Sequence, residues 1–257
     1  MKPYYSDDLV TLYHGDCAEV LRDMDEAVDC VVTSPPYNQL GSRVPGSPTG
    51  IHAANGWIAD VNTTGYGDDL SEDEYAEWQG EVADALASVV RPGGSFFYNH
   101  KIRYRDSRPL HPIDLVRSWD GWYLRQEIVW DRRKSMVLNA RMFPPSDERI
   151  YWLIREGAPH TWNHEYGVKN LSVWQMSTPN EVQGHPCPFP EQLVTRCVMA
   201  TTHPGATVLD PYAGSGTTLI AARALGRRAV GVEVDERYCE VAVQRLAQGT
   251  LDFGGAA

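Results

Sequence analysis

Two short stretches of this 257-residue chain combine reactive groups with a constrained backbone. The first is Ser34-Pro35-Pro36-Tyr37. Each proline fixes its own φ, and Pro35 also biases Ser34 towards an extended conformation. Neither proline carries an N–H, so the stretch presents a hydroxyl, carbonyls and a phenol ring in fixed relative places. A Pro-Pro turn that only ends a strand is the alternative these residues leave open. The second stretch is Asp210-Pro211-Tyr212-Ala213-Gly214-Ser215-Gly216-Thr217-Thr218, whose glycines let the backbone approach a ligand closely. Glu233 stands 17 residues after Gly216, where a carboxylate can accept both hydroxyls of a ribose.

These groups need elements to hold them. Val28, Cys30, Val31 and Val32 form an apolar run before Ser34 and read as a short strand buried on both faces. Around the glycine loop the order is strand (206–209), loop, helix (219–225, closed by Gly226) and strand (228–234), which is the nucleotide-binding half of a Rossmann-like sheet. Leu219 occupies the place of the third glycine of a dinucleotide fingerprint, and no lysine follows the loop as in a P-loop. Asp210 suits a cationic ligand such as a sulfonium amino acid better than a pyrophosphate, acting through water or loop hydrogen bonds. Near the N-terminus a strand (10–13) ends at His14-Gly15-Asp16, and a helix follows over 17–24. Asp16 there can cap the helix, accept from a ligand, or do both. Ser71 to Glu74 is a capping box for a helix whose Tyr75, Trp78, Val82, Leu86 and Val89 are core. Arg91-Pro92-Gly93-Gly94 turns the chain into a strand over 95–98. A helix over 113–119, strands over 126–130 and 149–154 with Trp130 and Trp152 buried, and a last helix over 238–246 complete the pattern.

Length and a hydrophobic content of 42% fit one large α/β domain spanning 1–257. No apolar stretch is long enough to span a bilayer and no signal-peptide pattern is present, so a soluble, cytoplasmic protein without a membrane partner is expected. The five cysteines are scattered and read as reduced thiols; His160 and His164 lack an H-E-x-x-H pattern, so no metal is expected. A formal net charge of −11 counts against a nucleic-acid partner, but phosphate-binding footprints are local. Lys101, Arg103, Arg105 and Arg108, then Arg132, Arg133, Lys134 and Arg141, make a basic middle segment. It is either a DNA-facing rim or a solvated charged face. Residues 39–70, rich in Gly, Ser, Pro and Asn, read as a binding loop or as simple disorder.

Together, Ser34 to Tyr37 and Asp210 to Thr218 resemble the two signature loops of the DNA amino-methyltransferases, with Tyr212 where phenylalanine is more usual. His185-Pro186 to Phe189-Pro190 is similar to the element that encloses the cofactor in that family, which makes Cys187 an incidental filler. The resemblance implies S-adenosyl-L-methionine as cofactor, double-stranded DNA as substrate, and a target base flipped out of the helix. It implies catalytic roles for Ser34, Pro35, Pro36 and Tyr37, and cofactor contacts from Asp16, Phe189, Asp210, Tyr212, Gly214, Ser215, Gly216, Thr217 and Glu233. DNA contacts are then expected from Lys101, Arg103, Arg105, Arg132, Arg133 and Lys134. An exocyclic amine is a poor nucleophile because its lone pair is delocalised into the ring. The Ser34 hydroxyl and the Pro35 carbonyl offer the acceptors that would localise it, and Tyr37 can stack on the base. The implied fold is a seven-stranded, mostly parallel sheet with one antiparallel strand, in a permuted motif order. That order gives a catalytic half (1–155), a recognition candidate (156–184, with loop 39–70) and a cofactor half (185–247). Serine in the first loop points to cytosine-N4, with adenine-N6 as the alternative; an RNA or protein-amide methyltransferase and a non-catalytic binding protein are more distant readings. A homodimer and a cognate restriction endonuclease are partners that such a family leaves open.

Overall fold

The computed structural model describes residues 1–25, 27–38, 70–106, 108–135, 142–178 and 189–251. Most of loop 39–70, Arg141, residues 179–184 and the segment His185 to Pro188 therefore lie outside the described residues.

The chain begins with β1 (Tyr5–Ser6), β2 (Val10–His14), α1 (Cys17–Arg22) and β3 (Val28–Thr33). After the catalytic-loop candidate come α2 (Glu72–Val89), β4 (Val90–His100), a small hairpin of β5 (Arg103–Arg105) and β6 (Arg108–Leu110), and α3 (Ile113–Val116). Two long strands follow, β7 (Trp122–Asp131) and β8 (Asp147–Arg155), then α4 (His164–Gly167) and β9 (Val173–Gln175). The last part comprises α5 (Glu191–Thr201), β10 (Thr207–Asp210), α6 (Thr217–Ala224), β11 (Arg228–Glu233) and α7 (Glu236–Leu251).

One sheet runs in the order β1-β2-β11-β10-β3-β4-β8-β7-β9. Strands β2, β11, β10, β3 and β4 are mutually parallel, and β8 is antiparallel to both its neighbours. Without its two short edge strands, β1 and β9, this is the expected seven-stranded sheet with one antiparallel member. The edges are the addition. Val173 to Gln175, within the 156–184 recognition candidate, pairs in parallel with Val129 to Asp131.

The central strands alternate their side chains between two cores, as the period of two in a strand requires. Cys30, Val32 and Phe97 join Leu193, Val198, Leu219 and Cys239 on one side; Val28, Val31, Phe96 and Tyr98 join Val82, Leu86, Trp119 and Trp122 on the other. A sheet covered on both faces explains why β3 is almost wholly buried and shows no polar alternation. The cysteines Cys17, Cys30, Cys197 and Cys239 are buried free thiols.

Helix α2 starts at the capping box foreseen in the sequence. The Ser71 hydroxyl accepts from Glu74 N, and the Glu74 carboxylate accepts from Ser71 N at 2.9 Å. The sequence reads Arg91 to Gly94 as a turn, whereas β4 already begins at Val90. Both descriptions have a basis: Val28 pairs with Val90 but Cys30 with Ser95, so the strand carries a bulge there. A Cβ on Gly93, at φ +80°, would lie 2.4 Å from the Pro159 carbonyl oxygen, which is why this strand tolerates glycine.

The parallel order fixes the site. The C-terminal ends of β2, β11, β10, β3 and β4 form one rim that carries Asp16, Glu233, Asp210, Ser34 and Asn99-His100. Because β8 runs the other way, it starts on this rim, at Asp147-Glu148. A crevice at strand C-termini is where open α/β sheets place ligands.

Candidate active site

On one half of the rim the glycine loop is held by carboxylates and backbone donors. Asp210 is fully buried. Its Oδ1 accepts from the Thr33 hydroxyl at 2.6 Å and from Tyr212 N at 3.1 Å, and its Oδ2 accepts from the Thr218 hydroxyl at 2.6 Å. Burial raises its carboxyl to about pKa 6, against the pull of these hydrogen bonds. Both oxygens thus bond inside the protein. Asp210 thereby ties β3 to the glycine loop through these hydrogen bonds.

Glu233 ends β11 and is 2% exposed. Its Oε2 accepts from Gly214 N at 2.7 Å and its Oε1 from Asp235 N at 2.9 Å. The carboxylate therefore shapes the loop. Gly216 caps α6 at φ +78°, and a Cβ there would lie 2.9 Å from Ala242 Cβ of α7. Its glycine character serves close packing of the loop on α7. Arg245, which sequence reading did not single out, donates from its Nη1 to the Ser215 carbonyl at 2.6 Å and to the Thr217 hydroxyl at 3.3 Å. Asp16 is exposed at the end of β2, where its Oδ1 caps α1 by accepting from Glu19 N at 3.1 Å. Gly15 N donates to the Glu233 carbonyl at 3.0 Å, so Asp16 and Glu233 flank the same stretch of rim. Tyr212 is half-buried, edge-on to Trp78, and its hydroxyl accepts from Gln79 Nε2 at 3.3 Å. Phe189 is buried in the core beside α5.

The other half is a network of side chains. Tyr37 Oη donates to Glu148 Oε2 at 3.0 Å and lies 2.6 Å from Ser34 Oγ. Asn99 Nδ2 donates to Tyr37 Oη at 2.8 Å and to Glu148 Oε2 at 2.9 Å. Arg132 Nη1 meets Glu148 Oε1 at 3.1 Å. Under the loop, the Tyr75 hydroxyl lies 2.8 Å from the Pro36 carbonyl oxygen and 2.9 Å from His100 Nε2. The His100 ring packs on Tyr37 with centroids 4.5 Å apart. Burial lowers the His100 imidazole to about pKa 3, with Arg103 and Lys101 adding to the effect. The neutral ring then donates from Nδ1 to the Lys101 carbonyl at 2.7 Å and presents an acceptor at Nε2.

Ser34 and Tyr37 are brought together, the Tyr37 ring packs on His100, and its hydroxyl is part of the network. Asn99, His100, Glu148 and Tyr75 were not foreseen. The signal that could have found Asn99 and His100 is a polar pair directly after an apolar strand, on the rim that carries Ser34.

The basic residues divide. Arg103 is 5% exposed and donates from both terminal nitrogens to Glu72, at 2.7 Å each, with its guanidinium over the Tyr75 ring. Arg105 meets the same carboxylate at 3.2 Å. Arg132 is committed to Glu148. The expected phosphate-facing role fails for Arg103, which is buried and paired, and these three cations are largely spent on carboxylates. Lys101 is half-buried, with its Nζ 5.7 Å from the Tyr37 ring centroid. Arg133 and Lys134 are exposed; Arg133 Nη2 donates to the Gln175 side chain at 2.8 Å.

The donor set fits a nucleoside bearing a sulfonium. A buried carboxylate, an exposed aspartate beside it and a glycine loop share one rim with the Ser34 hydroxyl.

Comparison with known proteins points the same way. Residues 28–244 match the family model of the N6/N4 DNA methylases. The chain is 30% identical over 268 residues to the Type II methyltransferase M.SmaI of Serratia marcescens, covering 90% of this chain and 89% of that one. It is 29% identical over 279 residues to the Type II methyltransferase M.ScaI of Streptomyces caespitosus, covering 95% and 84%. Among solved structures, the cytosine-N4-specific PvuII DNA methyltransferase superposes with a TM-score of 0.75 at 19% identity, over 95% of this chain and 88% of that one. A Thermus thermophilus protein assigned as a DNA modification methylase, solved with S-adenosyl-L-methionine, superposes with a TM-score of 0.61 at 27% identity, covering 93% and 95%.

Proposed function

The chain belongs to the N6/N4 DNA methylase family, and from that premise we propose that it methylates N4 of cytosine in double-stranded DNA. It is an S-adenosyl-L-methionine-dependent DNA methyltransferase; the base and the residue roles are our reading. The observation that carries the choice of base is Ser34, a neutral hydroxyl at the β3 exit where aspartate or asparagine are the other options in this family's loop.

Glu233 would take the ribose hydroxyls of the cofactor, Asp16 the adenine amino group, and the Gly214 to Gly216 backbone the space between. When bound, the cofactor supplies an electrophilic methyl group, and the C–S bonding pair stays on sulfur. The protein's own task is then to present an amine in line and to make it nucleophilic. Ser34 Oγ and the Pro35 carbonyl oxygen accept hydrogen bonds from its two N–H groups and draw the lone pair out of the ring. Pro35 has no N–H and is buried, so its carbonyl is set by the rigid loop. A base inside a duplex cannot reach this rim and is flipped out. Arg133 and Lys134 are the exposed cations that would face phosphate, with Lys101 nearer the Tyr37 ring, and Asp16, Phe189 and Tyr212 line the cofactor side. We further infer, from relatives named as Type II methyltransferases, that the methyl mark protects host DNA from an endonuclease of the same sequence specificity.

The test is mass spectrometry of nucleosides from unmethylated bacteriophage DNA treated with the purified protein and cofactor. N4-methylcytosine is the expected product. N6-methyladenine without N4-methylcytosine overturns the choice of base and leaves the amine chemistry standing.

A further inference from the structure

We propose that Tyr37 and Glu148 are positioning residues for methyl transfer: they form a hydrogen-bonded relay that turns the Ser34 hydroxyl into a pure acceptor and carries away the amine proton. The proposal rests on the reading that Ser34 receives the target amine, and it gives Tyr37 a role other than stacking on the base.

The direction of the relay follows from counting protons. Glu148 carries acceptors only, so Tyr37 must donate across the 3.0 Å contact to its Oε2. The same rule fixes the Asn99 amide, since only its nitrogen can face Glu148 Oε2, at 2.9 Å. That nitrogen also donates to Tyr37 Oη at 2.8 Å. The phenol oxygen has therefore given its single proton to Glu148 and can only accept from Ser34. Ser34 then points its proton to Tyr37 across 2.6 Å; Asn99 Nδ2 lies 3.5 Å from its Oγ, and a further lone pair is left for one N–H of the amine. A serine at this position needs such a device. Its own proton, if turned towards the base, would repel the N–H groups it should hold. An aspartate there would need no such help.

Glu148 is 7% exposed, and Arg132 faces its other oxygen at 3.1 Å, so its Oε2 stays aimed at Tyr37. The relay also closes the proton balance. Once the amine nitrogen has formed its bond to the methyl carbon, it bears a positive charge. It releases one proton to Ser34 Oγ as the Ser34 proton moves to Tyr37 Oη and the Tyr37 proton moves to Glu148 Oε2. The products are a neutral methylated amine, restored hydroxyls on Ser34 and Tyr37, and a neutral Glu148 carboxylic acid that returns its proton to solvent.

The deciding variant is Tyr37→Phe, which keeps the ring and removes only the bridge. Total transfer of tritiated methyl groups to unmethylated bacteriophage DNA is measured, so the result does not depend on which base is modified. Loss of one acid–base contribution is typically ~10²-fold or more. The expectation is a kcat lowered by about that factor in Tyr37→Phe and in Glu148→Gln, with cofactor affinity and KM for DNA within about threefold of wild type. Each variant should also change the pH profile of kcat, which a merely structural bond would not. Ser34→Asp supplies the rescue arm. With a carboxylate as acceptor, adding Tyr37→Phe should cost less than about threefold further. A Tyr37→Phe enzyme within about twofold of wild type in kcat overturns the relay. An equal loss in the wild-type and Ser34→Asp backgrounds overturns it as well, since the hydroxyl would then serve loop structure alone. Failure of the cytosine assignment shows instead in the nucleoside product and leaves these ratios untouched.

Discussion

The two halves of the rim solve the problem of holding polar groups in different ways. On the cofactor side, Asp210 and Glu233 are fixed by backbone N–H groups and by threonines, from donors on β3, the loop that joins β10 to α6, the first turn of α6 and the turn after β11. On the other side, Ser34, Tyr37, Asn99, His100 and Glu148 hold one another through side chains from the loop after β3 and from β4 and β8. Backbone donors are set by the fold and leave little rotamer freedom. Side-chain networks give close control of proton placement but fail together when one member is removed. A cofactor needs a constant cradle, and a nucleophile needs a tuned one.

The comparison breaks most visibly at Glu233. If its carboxylate both shapes the loop and takes ribose hydroxyls, Glu233→Ala removes charge-assisted hydrogen bonds worth about 1.5–3 kcal/mol each. Affinity for S-adenosylhomocysteine should then fall ~10²–10³-fold by calorimetry. An unchanged affinity in a folded variant moves the cofactor elsewhere.

A smaller effect separates the cations. Arg133→Glu with Lys134→Glu should weaken DNA binding about tenfold at moderate salt and lower the slope of log K against log salt by ~1 or more, across all sequences. Arg103→Gln should leave that slope alone and lower stability instead, because it leaves the Glu72 carboxylate without its two-point partner. Equal salt slopes in all variants would mean that the phosphate footprint lies outside Arg133 and Lys134.

The smallest effect is a pair of opposed pH dependences, one from each half. Asp210, raised to about 6, keeps its proton in the folded state above the ordinary value of 3.8, so its contribution to stability falls as pH rises from about 3.8 to 6. His100, lowered to about 3, stays neutral in the folded state while the unfolded imidazole charges below 6.5, so its contribution falls as pH drops from 6.5 towards 3. Relative to wild type, Asp210→Asn should make denaturant stability decline more with acidification between about pH 4 and 6, and His100→Asn should make it decline less. Each difference is bounded by about 1.4 kcal/mol per pH unit for one proton. Two variants that shift in the same direction would contradict the pairing.

What was legible in the sequence follows the same division. The cofactor half is local: Asp210, Gly214 and Gly216 fall within seven residues and Glu233 ends the next strand, so a strand–loop–helix–strand pattern suffices to find them. The capping box of α2 is local too. The catalytic half is not. Asn99 and Glu148 reach Tyr37 across sequence separations of 62 and 111 residues, and only the pairing of β4 with an antiparallel β8 brings them together. Local pattern carries no information about such a meeting. The basic segment misled for a related reason: charge alone does not reveal that Glu72, 31 residues away, takes Arg103 into the interior. The edge strand β9 is three residues long and is made by its pairing with β7, so its own sequence gives little sign of it.

The most direct measurement is single-turnover methyl transfer by Ser34→Ala, with the cofactor-saturated enzyme in excess over unmethylated DNA. With Ser34 as the acceptor that localises the amine lone pair, cofactor binding should stay at the wild-type level while the transfer rate falls ~10²-fold or more. A rate within a few-fold of wild type would contradict the assignment of the catalytic centre to Ser34.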